Sequence, residues 1–520
     1  MDLPWKTIYS QSTGEFDWAG GISSATTDDN DDGSTFSPLA YWSLAGTIGF
    51  TLLVYFLEGN LDARQKKSYQ ITEFPKELET TVAKIDAQQK NDKTDDDDDN
   101  NNNKTSKKKN DDDDKKDTID KDKPLLEQLQ AKFKSSQTYG LDKINFGMIA
   151  GTYETFESIV ILLVGIMPFL WDQSIKLGGT YLGVNSDEEI KISLIFLLLQ
   201  TIVGTITGLP FELYKTFNIE KKHGFNKQTY GLFFTDKVKG LVLQCVIGGP
   251  FVALLLKIIK MGGDNFYIYM WAFMFCFSVF MMTIVPVVIM PIFNTYEPLK
   301  DGDLKTSIYK LAGRLDYPLK KLFIMDGSKR SSHSNAFMFG FGANKRIVLF
   351  DTLMEQVKSS EILAILGHEL GHWKLGHTLT NFAVTQVYFG VAFYFFSQCY
   401  ASKDLYAAFG FDDTKSDVPT IIALMLFFQT LWAPVDKILS FVLTVFSRHC
   451  EFEADRFSVD LDMSQDLQSG LCKIHLENLG AMCPDNLYSM YHYSHPPLVE
   501  RLSAMMALDD AMMLKGKKKN

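Results

Sequence analysis

The chain has 520 residues, 46% of them hydrophobic and 13% aromatic, and a formal net charge of −11. Its length exceeds one simple soluble domain. An acidic balance with no basic, aromatic-interleaved patch argues against a nucleic-acid partner. Six cysteines with no C-x-x-C spacing read as free thiols, which argues against a disulfide framework or a cysteine zinc site.

In chain order, residues 1–37 form a polar, acidic tail that predicts no cleavable signal peptide. Apolar runs of near membrane-spanning length follow at about 39–58, 155–171, 192–212, 240–260, 266–293, 379–400 and 418–446. Any one run alone is compatible with a buried soluble helix. Seven of them in one chain predict a multispanning membrane protein. Between the first two, residues 59–152 read as a loop, with an Asp/Asn/Lys-rich insert at about 86–123 that is too polar to bury a core and is expected to stay disordered. Arg64, Lys66 and Lys67 follow the first span, and Lys215, Lys221, Lys222, Lys227, Lys237 and Lys239 follow the third, whereas the alternate loops are poor in lysine. By the positive-inside rule, the 1–37 tail is then lumenal, while 59–152, 294–378 and 447–520 are cytosolic. Lys517 and Lys518 stand where a dilysine retrieval signal would lie.

The segment 294–378 contains His368-Glu-Leu-Gly-His372. On a helix His368 and His372 share a face and both imidazoles can bind one Zn²⁺, while Glu369 points aside toward a reacting water. The flanking Ile362, Leu363, Ile365, Leu366 and Leu370 predict a mostly buried helix, in which imidazoles and a carboxylate require partners. A catalytic zinc needs a third protein ligand. His377, five residues on, is out of phase and is expected at an exposed helix end. The better candidate follows the seventh run. Glu451 and Asp455, four apart, can place one carboxylate on zinc and the other on the outer N–H of a ligand histidine. Residues 336–350 alternate as a hairpin, with Ala336 to Phe341 as one strand, a turn at 342–345, and Arg346 to Phe350 as the return strand. An exposed edge there can add an extended peptide as one more strand.

These blocks, with Gly327-Ser-Lys-Arg-Ser-Ser-His-Ser-Asn-Ala336, Tyr493-Ser-His-Pro-Pro-Leu498 and Glu220-Lys-Lys-His-Gly-Phe-Asn226, resemble the type I CaaX prenyl endopeptidases over about residues 38–510. The resemblance implies a mostly α membrane protein. Its seven transmembrane helices would form an α-helical barrel around an internal chamber, closed by a cytosolic zincin-like (gluzincin) protease domain with a small β-sheet. It implies one catalytic Zn²⁺ and, as partners, membrane lipid and prenylated CaaX proteins that lose their last three residues. It also implies a location in the endoplasmic reticulum membrane, with the inner nuclear membrane as a second site. By the same resemblance His495 is an oxyanion donor, Asn335 and Ala336 lie on the substrate-binding edge, and Arg501 flanks the site without an assigned role. Glu369 is the general base. Two other readings stay open: a membrane quality-control metallopeptidase, which would have fewer spans, and a zinc transporter, whose ligands would lie at the bilayer midplane.

Overall fold

The computed structural model describes residues 38–97, 123–340, 342, 344–411 and 418–517. The tail 1–37, most of the Asp/Asn/Lys-rich insert and the residues after Lys517 lie outside that set. Six helices are long and apolar enough to cross a membrane: Trp42–Tyr69, Leu125–Val164, Glu189–Glu220, Tyr230–Met261, Gly263–Phe293 and His377–Cys399. A seventh is broken into Thr420–Leu431 and Ala433–Asp460, with a 60° bend between them. The chain is therefore a multispanning helical membrane protein. Phe56, Ile149, Phe156 and Ile206 are each at least 65% exposed on these helices, a surface suited to lipid rather than water.

Six of the seven expected runs fall within these helices; the second does not. Gly165 adopts a left-handed φ of 71°, which ends one helix at Val164 and starts another at Ile166 in the middle of the expected span. The crossing helix instead begins at Leu125 and runs for 40 residues, about 60 Å at 1.5 Å per residue.

That helix also corrects the loop expected at 59–152. The first span continues to Tyr69, and a second helix occupies Lys76–Asp97. Leu78, Val82 and Ile85 on one helix, and Leu125, Leu129 and Phe133 on the next, are spaced for one helical face and are buried in one core with Ile347, Ile362 and Leu366. Asp86, expected to start the disordered insert, accepts hydrogen bonds from the backbone N–H groups of Leu125 (2.9 Å) and Leu126 (3.0 Å). It thereby serves the orphan donors at the start of the long helix.

The segment 294–378 holds a four-stranded sheet: β1 (Tyr296–Pro298), β2 (Leu319–Met325), β3 (Ala336–Phe339) and β4 (Lys345–Phe350), in the order β1-β2-β4-β3. β2 and β4 are parallel; β1–β2 and β3–β4 are antiparallel. The expected hairpin is present, with Ala336 opposite Leu349 and Phe339 opposite Arg346, and β3 lies at the sheet edge. The strand stops at Phe339 rather than Phe341 because Gly340 turns to φ 114°.

Two contact sets tie the helix ends together. The end of the first span meets the C-terminal segment: Arg64 pairs with Asp485 at 2.9 Å, and Gln65 accepts from the Asp485 N–H at 2.8 Å. At the other end of the bundle, Glu189 pairs with Lys260 and accepts from the Thr420 N–H at 2.7 Å. Between these ends Glu58, Asp62, Glu154, Asp436 and Lys437 line a cavity of about 420 Å³. Ionisable groups on spanning helices that face an internal cavity are what a hydrated chamber requires.

Candidate metal centre

The motif helix runs Ser359–Lys374. Its start is fixed by the Glu361 carboxylate, which accepts the Lys358 N–H at 2.7 Å. Its end is fixed by Gly376, whose φ of 78° turns the chain into the sixth span. One face of this helix is cleared by Gly367 and Gly371. A Cβ at Gly371 would meet the Phe457 ring at 3.0–3.2 Å, and one at Gly367 would meet the Met463 sulfur at 3.1 Å. The two glycines let the helix Ala433–Asp460 approach closely, and the Ser458 hydroxyl donates across the gap to the Ala364 carbonyl at 3.3 Å. This crossing brings Glu451 and Asp455 onto the histidines. Glu451 and Asp455 stand on the same unbroken helix as the second half of the seventh span, so that span positions them directly.

Ligand atoms of His368, His372 and Glu451 gather within 4.8 Å of one another. The Nε2 atoms of His368 and His372 are 3.2 Å apart. His372 Nε2 is 3.3 Å from Glu451 Oε1, and His368 Nε2 is 3.5 Å from Glu451 Oε2. Tetrahedral ligands at zinc bond lengths of about 2.0–2.1 Å lie roughly 3.3–3.4 Å from each other, so the three residues fit such an ion. Glu451 Oε2 is a buried oxygen without a hydrogen bond. His495 Nδ1 comes within 2.9 Å of it, but the contact lacks hydrogen-bond geometry. Burial works against a charged His368, yet the Asp455 and Glu451 carboxylates outweigh it and push its pKa up to about 9.

The outer nitrogens are held in two different ways. His368 Nδ1 lies 2.9 Å from Asp455 Oδ1, and Asp455 in turn accepts two hydrogen bonds from the buried Arg501, from Nε at 2.8 Å and Nη2 at 2.6 Å. Arg501 thus braces Asp455. His372 Nδ1 lies 2.9 Å from His377 Nδ1, and His377 Nε2 lies 3.1 Å from Glu453 Oε2. A proton on His372 Nδ1, accepted by His377, leaves the His372 Nε2 lone pair free for a metal. His377 is therefore buried inside this network, and the exposed helix-end role expected for it is corrected. Its five-residue offset does not follow the motif helix because Gly376 starts a new one. The sequence signal was Glu453, two residues past Glu451. A second grouping of ligand-type atoms, His377, Cys450 and Glu453, contains this relay.

Glu369 is half-buried and has no hydrogen bond or ion pair among the described residues. His495 stands at the open side of the cluster, its side chain 67% exposed. Asn335 is exposed at the head of β3; its side chain accepts the Ala336 N–H at 2.8 Å, and its carbonyl accepts the Phe350 N–H at 3.1 Å. The Glu220–Asn226 block clasps the chain just before this edge. Phe225 stacks on His333 with centroids 4.2 Å apart, its carbonyl accepts the Ser332 N–H, and Asn226 bridges to Ser331.

Residues 125–295 match the family model of the CAAX prenyl protease N-terminal region with five membrane helices, and residues 298–509 match peptidase family M48. The CAAX prenyl protease 1 homolog of Homo sapiens is 44% identical over 72% of this chain and 86% of its own length. The homolog of Arabidopsis thaliana is 47% identical over 72% and 88%, and CAAX prenyl protease 1 of Saccharomyces cerevisiae 39% over 72% and 85%. The chain belongs to peptidase family M48. The crystal structure of S. mikatae Ste24p superposes with a TM-score of 0.75 at 32% identity, over 89% of this chain and 99% of that one. Membership makes the chain a metallopeptidase, and the His368–His372–Glu451 cluster is where its described residues gather ligands for a metal.

Proposed function

We propose that this chain is a zinc endopeptidase of the endoplasmic reticulum membrane that removes the last three residues of prenylated CaaX proteins. The observation that carries the reading is the convergence of His368, His372 and Glu451 in a chain whose relatives across animals, plants and fungi are CAAX prenyl proteases. His368, His372 and Glu451 would hold the zinc, which supplies Lewis acidity toward water and the scissile carbonyl. The unpaired Glu369 carboxylate accepts the proton of the attacking water and delivers it to the leaving amine. His495, exposed beside Glu451, donates to the negative oxygen that develops on the carbonyl. Asp455, Arg501 and His377 position the ligand imidazoles. The free edge of β3, beginning at Asn335 and Ala336, takes the peptide as an added strand.

The basic residues give the orientation. Lys66 and Lys67 end the first candidate span, and Lys221 and Lys222 follow the third; by the positive-inside rule they support a cytosolic side for the protease segment. The motif helix is not one of the candidate spans, and His368 sits against the protease core. That position supports a peptidase over a transporter with ligands at mid-membrane.

The test is the product mass from a prenylated Cys-aliphatic-aliphatic-X peptide, with and without a chelator. Release of the intact tripeptide, lost on chelation and restored by zinc, is the expected outcome. Cleavage that survives complete metal removal would overturn the mechanism.

A further inference from the structure

Beside the metal cluster lies a second cavity, of about 420 Å³, within the roughly 300–1,000 Å³ typical of small-ligand sites. His495 and Leu498 form part of its wall next to Glu451. Tyr69, His475 and Asn478 form another part, and Lys143 lines it as well. No carboxylate lines this cavity, although the chain carries a net charge of −11. Lys143 is the one lysine or arginine in its lining.

Lys143 is poised but unpaired. Its ammonium stands 4.7 Å from the centroid of the Tyr139 ring and makes no ion pair among the described residues. Glu220, whose charge reaches it, is already engaged. Its two oxygens accept from the Tyr139 hydroxyl at 2.9 and 3.1 Å, and it faces His333 at 3.7 Å. The wall opposite is built at a cost. Leu479 is held at a φ of 46°, a left-handed conformation that a leucine resists. Ser136 locks that turn by donating to the Gly480 carbonyl at 2.5 Å. At Gly480 any Cβ would come within 2.4–2.8 Å of the His475 ring. The turn thus holds His475 in the wall, with a buried Nε2 that has no hydrogen-bond partner.

We propose that this cavity takes the residues on the C-terminal side of the scissile bond, and that the Lys143 ammonium binds the substrate's terminal carboxylate. The inference rests on the proposed function and adds to it a source of selectivity for chain ends. The cavity begins at His495, beside the metal cluster. Its tyrosines, prolines and leucines suit aliphatic side chains, and its cation suits the one charge that a short aliphatic tail always carries. An internal peptide bond offers no such charge and would leave Lys143 unmatched.

The experiment compares two prenylated CaaX peptides, one with a free C-terminal carboxylate and one with a C-terminal carboxamide, on the full-length purified protein. The wild type is expected to prefer the acid by about tenfold to a hundredfold in kcat/KM, as for a charge-assisted hydrogen bond. Lys143→Gln should lower kcat/KM for the acid to near the amide's value and leave the amide almost unchanged. Lys143→Arg should restore much of the preference. The amide serves as the internal control for folding. An acid/amide ratio near one in the wild type, a ratio unchanged in Lys143→Gln, or an equal fall on both peptides would overturn the inference while leaving the proposed function standing. Failure of the wild type to cleave either peptide would overturn both.

Discussion

The two histidines of the motif helix are the same residue type four positions apart, yet they are anchored in different parts of the molecule. His368 is buried in the protease core and held by Asp455, which carries a bidentate Arg501. His372 is held by His377, the first residue of the sixth span, and through it by Glu453. One imidazole is therefore fixed by a buried ion pair and the other by a histidine relay that begins on a membrane helix and ends on the half-exposed Glu453 carboxylate. The difference teaches that the metal cradle spans the joint between protease segment and bundle. A disturbance of either side would reach the same proposed metal site.

The largest expected effect separates holding the metal from using it. Glu369→Gln leaves both anchors in place, so metal content should stay at one ion per chain while turnover falls by about 10²–10⁴. Metal analysis beside a peptide-cleavage assay decides it, and full activity in the variant would remove Glu369 from the mechanism. His495→Ala comes next. Loss of one oxyanion donor should lower kcat by about 10²–10³ with zinc retained and KM little changed. Loss of zinc instead would make His495 a ligand.

The anchors themselves should respond unequally. Asp455→Ala and His377→Ala each remove an outer partner, and each should weaken metal affinity by about 10–100-fold. Asp455→Ala also removes the carboxylate that accepts two hydrogen bonds from the buried Arg501 guanidinium and leaves it only Glu451 Oε2 at 3.5 Å; breaking such a buried pair typically costs about 3–5 kcal/mol. His377→Ala leaves no buried charge behind. The melting temperature of the metal-free protein should thus fall clearly in the first variant and little in the second. Equal falls in both would erase the distinction between the two anchors.

The same contrast shows how much of the molecule was legible beforehand. The meeting of His368, His372, Glu451 and Asp455 was legible because a four-residue spacing on a helix translates directly into a shared face. The edge strand was readable from its alternation. His377 was misread because its position depends on a left-handed Gly376 that starts a new helix, and spacing counted along one helix cannot cross that break. Arg501 could be given no role, since its partner Asp455 lies 46 residues earlier and is met only through tertiary packing. The unpaired Lys143 was likewise invisible, because its meaning comes from what lines the cavity around it.

The most instructive error concerns 59–152. The run of acids and asparagines drew attention away from two amphipathic stretches at its borders, Leu78/Val82/Ile85 and Leu125/Leu129/Phe133, whose apolar faces close the protease core. Asp86 joins them. It looks like the first member of a charged tract, but its carboxylate meets two backbone N–H groups of the next helix. Asp86→Ala should therefore destabilise the protein by about 0.5–2 kcal/mol, the usual cost of losing such a cap. The activity of the folded fraction should be unchanged, since Asp86 touches neither the metal cluster nor β3. Asp95→Ala, within the tract itself, serves as the comparison. A thermal melt of both variants separates a structural aspartate from a merely charged one, and identical melting temperatures would return Asp86 to the tract.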